Sequence, residues 1–252
     1  MPENRRAIVV GGAGGIGSDI CRRLASEGYR VVVADRDLER AKLVLDTVDG
    51  SGHAISQFDV TNDAEVDAAF DEIESADPAA VLVVASGGLL VDFRAMPNIA
   101  TMSTSDWERT LAYNLTGVFF CLRKFAQLRL AAPLDHGRII TLSSGVGQIA
   151  GSPTDVGYVS SKAAIFGLNR QVAFDLKHVG VTVNTVAPGP VGTPEFFRNT
   201  TEQARAGAAA AALLNRLATP EEVSAGVAFL ASRDASYVTG TTLDINGGVH
   251  MH

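Results

Sequence analysis

Short apolar runs with no polar break alternate along this chain with longer stretches in which apolar positions recur at helical spacing. Residues 7–10 form the first such run, which predicts a strand buried on both faces, and residues 18–27 follow as an amphipathic helix. A strand at 31–35 and a helix near 38–45 repeat the unit, as do a strand at 54–58 and a helix at 63–74. Residues 81–85 make a fourth strand, followed by a turn-rich loop and one long helix, about 105–130. A strand at 138–143, a long helix at 156–178 and a strand at 181–186 continue the alternation, and 243–245 predicts a seventh strand. Strands apolar on both faces and separated by helices pack as a parallel sheet between two helical layers. Right-handed crossovers then leave a single-domain α/β fold, a Rossmann-like doubly wound sheet of about seven strands flanked by helices. The segment 192–217 interrupts the rhythm with an Ala-rich stretch and the Phe196-Phe197 pair. It predicts a helical substrate lid, with a plain surface helix as the alternative reading.

Composition narrows the class. The chain has 252 residues, 46% of them hydrophobic, enough to bury one full core without a linker or a repeat. The net charge of −7 is spread along the chain, which argues against a nucleic-acid partner. It leaves room for a phosphate-bearing cofactor, since a helix N-terminus holds phosphate without Lys or Arg. Residues 1–6 are polar and the longest apolar stretch, 81–91, is too short to span a bilayer, so a soluble, cytoplasmic protein without a membrane partner is expected. Cys21 and Cys121 fall in helical patterns and read as buried thiols of a reducing compartment. His53, His136 and His178 are isolated, and the terminal His250/His252 pair reads as tail, so no metal is expected.

The first strand runs straight into Gly11-Gly12-Ala13-Gly14-Gly15-Ile16-Gly17. Glycines let backbone turn sharply and approach a pyrophosphate, and the following helix offers that phosphate its free N–H groups. The position between a strand and a helix is what makes this loop a dinucleotide signal. Asp35 ends the second strand, where a carboxylate accepts ribose hydroxyls and repels a 2′-phosphate. No Lys or Arg lies in the loop, so NAD is expected over NADP, with Arg36 as a solvated neighbour.

Tyr158 and Lys162 stand four apart on a predicted helix and therefore share a face. They follow a strand ending in Ser143-Ser144. A phenol with a pKa near ~10 is a poor base at neutral pH. A neighbouring ammonium and a positive nicotinamide ring favour the phenolate, which predicts a lowered pKa for Tyr158 and a role in proton exchange. A serine hydroxyl beside it orients the reacting oxygen.

With these motifs the chain resembles the short-chain dehydrogenase/reductase family over nearly its whole length. Gly11, Gly15 and Gly17 match the family's spaced glycines, Asp59-Val60 its adenine-contacting pair, and Asn114-Leu115-Thr116-Gly117 the stretch carrying its catalytic asparagine. Ser144, Tyr158 and Lys162 match its triad, and Asn114 completes the tetrad. Pro188-Gly189 with Thr193, the run from Arg216 to Val223, and the closing Asp244-Ile245-Asn246-Gly247-Gly248 match as well. The resemblance implies that Tyr158 is the acid/base, that Lys162 holds the cofactor ribose and tunes Tyr158, that Ser144 orients the carbonyl, and that Asn114 positions a relay water. It also implies cofactor contacts at Gly14, Ile16, Ala85, Ser86, Gly87 and Val191, and a homotetramer built on the two long helices.

The chain departs from the pattern in three places. Val10 stands where a Thr is usual. Val84-Ala85-Ser86-Gly87 replaces an Asn-Asn-Ala-Gly whose asparagines tie the sheet together, so Ser86 or backbone groups must substitute. The stretch from Ser144 to Tyr158 is about one residue longer than the family's usual spacing, which keeps Ser143 as an alternative catalytic hydroxyl. Leu89, Leu90, Val91, Gln148 and Phe196 stand beside the motifs as candidate substrate contacts for a small alcohol or ketone. A non-catalytic NAD-binding or scaffold protein on the same fold is the alternative function.

Overall fold

A computed structural model describes residues 5–251. The strands are β1 (Arg6–Val10), β2 (Arg30–Asp35), β3 (Ala54–Gln57), β4 (Ala79–Val84), β5 (Arg138–Leu142), β6 (Thr182–Pro188) and β7 (Thr242–Ile245). The helices are α1 (Gly15–Ser26), α2 (Leu38–Leu45), α3 (Asp63–Ala76), α4 (Thr104–Leu111), α5 (Gly117–Ala131), α6 (Val156–Asp175), α7 (Pro194–Asn199), α8 (Glu202–Ala211) and α9 (Pro220–Ala231). The seven strands pair in parallel in the order β3-β2-β1-β4-β5-β6-β7. The order reverses between β1 and β4, and a doubly wound sheet opens its ligand crevice at that switch point, beyond the strand C-termini.

Strand residues alternate between two apolar layers. Ala7, Val9, Val31, Val33, Val81 and Val83 face α1, α2 and α9, where Ile20, Leu24, Ala41, Val223 and Val227 meet them. Ile8, Val10, Val32, Leu82 and Val84 face α3, α5 and α6, against Phe70, Leu122, Phe125 and Ile165. Burying a side chain of this size contributes roughly 1.5–3 kcal/mol, so both faces of the sheet are needed to hold its central strands.

Five expectations change. Helix α1 begins at Gly15, three residues before the predicted start, because the glycines form its first turn despite their poor helix propensity. The predicted long helix at 105–130 is two α-helices joined by a π-helical turn, Ala112–Thr116, and α6 stops at Asp175 rather than 178. Helix α9 was not foreseen; Thr219, Pro220 and Glu222 cap it with a reciprocal box. The 192–217 segment is two short helices, with Arg205 of α8 donating to the Thr200 carbonyl (2.7 Å) and to that of Phe197.

Both cysteines are free and buried, and burial pushes both thiols up. No helix among the described residues is long and apolar enough to cross a membrane, and no group of metal-ligating side chains gathers among them. His252 of the predicted tail pair lies outside the described residues.

Candidate active site

The crevice is built first by backbone contact. Gly11 has φ +77°, and a Cβ there would lie 2.6 Å from the Ser86 backbone nitrogen. A Cβ on Gly17 would lie 2.0 Å from the Gly11 carbonyl oxygen. Only glycine at both places lets β1, α1 and the chain leaving β4 meet this closely. Helix α1 starts at Gly14 with no side-chain cap and no acidic residue in its first turn, so its N-terminal N–H groups and dipole suit an anion. Thr193 covers that helix start, its Cβ 2.8 Å from where a Gly15 Cβ would be.

At the β2 end, Asp35 accepts from the Ala13 N–H (3.0 Å, Oδ2) and the Asp37 N–H (3.1 Å, Oδ1). Each oxygen keeps a second lone pair, which two ribose hydroxyls can use. Arg36 is exposed and its guanidinium lies 5.7 Å from the Tyr113 ring centroid. Arg40 reaches back from α2 and donates to the Ala13 carbonyl at 2.7 Å. A cation therefore does meet the glycine loop, although none lies in it. Asp59 is turned to Thr61, accepting from its N–H and its hydroxyl at 2.8 Å. Val60 packs on Gly117, which has no room for a Cβ (2.9 Å to Val60 Cγ2).

The Val84-Ala85-Ser86-Gly87 stretch is tied down differently from the expectation. The Ser86 hydroxyl is buried with no hydrogen-bond partner. The Ala85 N–H donates to the Val10 carbonyl (2.8 Å), Tyr113 receives the Gly87 N–H, and Asn114 brackets Gly88. Asn114 accepts the Gly88 N–H at 2.8 Å and donates to the Gly88 carbonyl at 3.0 Å. Both residues belong to the π-helical turn, whose i→i+5 bonding widens the turn, and their two consecutive side chains meet one loop. Burial pushes the Tyr113 phenol up, Arg36 opposing and Asp35 reinforcing.

At the β5 end the two serines divide. Ser143 donates its hydroxyl to the Lys162 carbonyl at 2.6 Å, whereas Ser144 hydrogen-bonds the Tyr158 phenol. Lys162 is buried, donates to the Leu142 carbonyl at 3.1 Å, and stands 5.7 Å from the Tyr158 ring centroid. Lys162 Nζ and Asn114 Oδ1 close on Gly87 together, 2.7 and 2.9 Å from the point a Cβ would occupy. The lowering expected of Tyr158 invoked a nicotinamide ring as well as Lys162, and the protein's own groups act the other way. Burial pushes the phenol up to about 12, the Ser144 hydrogen bond opposing and the Asp155 charge reinforcing. Desolvation pulls Lys162 down to about 8.

Pro188 ends β6, Gly189 packs against Asn246 (2.9 Å from a Cβ position), and Val191 bridges to Ala218, so 188–193 is pinned beside the crevice. Among the candidate substrate contacts, Gln148 is turned to Asp244 at 2.6 Å and half-buried Phe196 packs edge-on against Phe197. Leu90 and Val91, with Met96, Thr101 and Arg109, line a cavity of about 420 Å³ between the β4–α4 loop and α4; Leu89 is half-buried but not in its wall. Tyr113, Arg40 and Asp155 escaped the sequence reading. Tyr113 alone carried a signal, as an aromatic immediately before Asn114.

Residues 11–250 match the family model described as enoyl-(acyl carrier protein) reductase. The 3-oxoacyl-acyl-carrier-protein reductase of Escherichia coli (strain K12) is 32% identical over 249 residues, 99% of this chain and 98% of its own. The (3R)-3-hydroxyacyl-CoA dehydrogenase of Mus musculus is 32% identical over 256 residues, 97% of this chain and 96% of its own. A Brucella melitensis 3-oxoacyl-acyl-carrier-protein reductase solved with bound NAD superposes with a TM-score of 0.90 at 26% identity, covering 99% of this chain and 92% of that one. Family model, sequence and backbone agree from the first crevice glycine to the C-terminal loop, and the chain therefore belongs to the short-chain dehydrogenase/reductase family.

Proposed function

We propose that this protein is an NAD(H)-dependent oxidoreductase that interconverts a ketone and a secondary alcohol. The observation that carries the reading is the convergence of the Tyr158 phenol on Ser144, with buried Lys162 and Asn114 closing on Gly87 behind it. Bound in the glycine crevice, a reduced nicotinamide supplies the hydride and, once oxidised, a positive ring. Tyr158, neutral at physiological pH, donates its proton to the forming alkoxide. Ser144 aims the carbonyl oxygen at that proton, a task Ser143 cannot share while its hydroxyl holds the Lys162 carbonyl. Lys162 holds the ribose hydroxyls and, through water placed by Asn114, returns a proton to Tyr158.

Gly11, Gly14, Gly15, Ile16 and Gly17 form the phosphate cradle, Asp59 and Val60 flank the adenine, and Ala85, Ser86 and Gly87 with Pro188, Gly189, Val191 and Thr193 line the nicotinamide half. Asp35 selects NAD, and Arg36 closes the adenosine side with Tyr113. Helices α7 and α8 are the substrate lid, with Phe196, Leu89 and Gln148 as the substrate contacts. The relatives' names point to acyl thioesters bearing a 3-oxo or 3-hydroxyl group as the first substrates to try. We further place the protein in the cytoplasm as a homotetramer packed through α5 and α6, where Phe119, Leu130 and Phe174 are exposed.

The test is NADH consumption with a panel of ketones that includes acetoacetyl-CoA. Turnover is expected, with kcat/KM at least about tenfold higher for NADH than for NADPH, the discrimination of about 1.4 kcal/mol that one misplaced charge supplies. A preference for NADPH would overturn the role of Asp35. NADH binding without turnover on any ketone would favour the scaffold reading. The Tyr113→Phe variant is expected to weaken NADH binding about 2- to 10-fold through the lost Gly87 hydrogen bond, with kcat near wild type. Fluorescence titration of NADH checks this, and an unchanged Kd would mean that the Tyr113–Gly87 hydrogen bond does not shape the cofactor site.

A further inference from the structure

The first turn of α6 holds a carboxylate that this chemistry leaves unused. Asp155 is the N-cap, with φ −71° and ψ 157°, and is 0% exposed. Its Oδ1 accepts the Tyr158 N–H at 2.8 Å and its carbonyl accepts the Val159 N–H at 3.1 Å. Its Oδ2 is buried with no hydrogen-bond partner. Across the slot opened by Gly157, the Thr110 hydroxyl of α4 is likewise buried without a partner. A Cβ on Gly157 would sit 3.1 Å from Asp155 Oδ1, 3.1 Å from Met102 Cε and 3.3 Å from Thr110 Cγ2.

A helix cap needs one acceptor oxygen, and Ser103, Thr193 and Thr201 cap other helices of this chain with hydroxyls. A buried carboxylate with an unpaired oxygen is costly, so capping alone does not account for Asp at this position. What Asp adds is charge, three residues before Tyr158. We propose that Asp155 is a positioning residue for the acid/base: it pins the Tyr158 backbone and its charge holds the proton on the phenol, biasing the site toward ketone reduction. The proposal rests on the reading of Tyr158 as the acid/base.

The other groups around Tyr158 leave this role to Asp155. From α6 itself comes Lys162, engaged with the Leu142 carbonyl. The π-helical turn brings Tyr113 and Asn114, occupied by Gly87 and Gly88. From α4 come Thr110 and the Asp106–Arg109 pair, joined to each other at 2.9 Å on exposed side chains. The turn Gly145–Gln148 and strand β6 carry no titratable side chain. The Asp155 charge acts on the phenol in the same direction as burial does.

Asp155→Asn keeps the Oδ1 acceptor and removes the charge, and Asp155→Ser is a second neutral cap should the amide disturb folding. With NAD bound, the midpoint at which the Tyr158 phenolate absorbance appears, read against Tyr158→Phe, is expected to fall by about 1 pH unit in both. The alkaline rise of kcat/KM for alcohol oxidation should move down with it, making oxidation at neutral pH up to about tenfold faster. Melting temperature should stay near wild type in Asp155→Asn. A phenolate midpoint unmoved in both variants would overturn the proposal. A midpoint that falls while the rate profile stays put would instead overturn the assignment of Tyr158 as acid/base.

Discussion

Tyr158→Phe is expected to lower kcat for ketone reduction by about 10²- to 10⁴-fold while NADH binds as tightly as to the wild type. The substitution removes one oxygen and keeps the ring that packs beside Lys162, so the crevice retains its shape. Ser144 keeps its hydroxyl but loses the phenol to which it is joined. Serine remains a hydrogen-bond donor to the carbonyl, which is why a residual rate should persist. The wild-type pH dependence follows from the same group. With the phenol pushed up to about 12, its neutral form is fully present through neutrality, so reduction should be flat there. Oxidation needs the phenolate and should rise with pH. Steady-state rates in both directions check the pair of statements. A Tyr158→Phe enzyme that keeps more than about a tenth of its kcat would remove Tyr158 from the chemistry.

Gly17→Ala is expected to damage the fold and the cofactor site together. The added methyl would stand 2.0 Å from the Gly11 carbonyl oxygen and 3.1 Å from Gly12 Cα, and both neighbours are backbone rather than flexible side chain. Overpacking of this kind costs about 1–3 kcal/mol, which for a chain of this length lowers Tm by roughly 2–10 °C. Relieving the clash must move the Gly11–Gly12 backbone, and with it the loop whose N–H groups would face a pyrophosphate. Affinity for NADH should fall by at least about tenfold. Calorimetry and NADH titration on one preparation measure both effects. A Gly17→Ala protein with wild-type Tm and wild-type NADH affinity would mean that α1 and β1 are not locked as described.

The central strands were readable because a strand covered on both faces is apolar at every position, as in 31–34 and 81–84, and little else in a sequence looks like that. The start of α1 was misplaced because glycine's low intrinsic propensity is overruled where only glycine fits, against Thr193 and the Gly11 carbonyl. Helix α9 went unseen because the face opposite its buried Val223, Val227, Leu230 and Ala231 carries Ala225 and exposed Phe229, which blurs the polar face that a periodicity argument needs. Its Thr219-Pro220 start and Glu222 box were the usable signal. The proximity of Tyr158 to Ser144 and Lys162 was legible through spacing, yet the proton affinities of these candidate residues were not. Spacing shows that Lys162 and Tyr158 share a face, but desolvation depends on how much protein surrounds them, and here burial moves both groups toward their neutral forms. The Ser86 hydroxyl failed as a tie for the same reason: its surroundings, not its identity, decide whether it has a partner.

The π-helical turn at Ala112–Thr116 has an engineering consequence. Tyr113 stands with Arg36 at the second strand's end, and Asn114, its next neighbour in the chain, stands with Lys162. Attempts to exchange the coenzyme by redesigning the first will tug on the second through a single peptide unit, so preference and turnover cannot be optimised as separate modules in this scaffold.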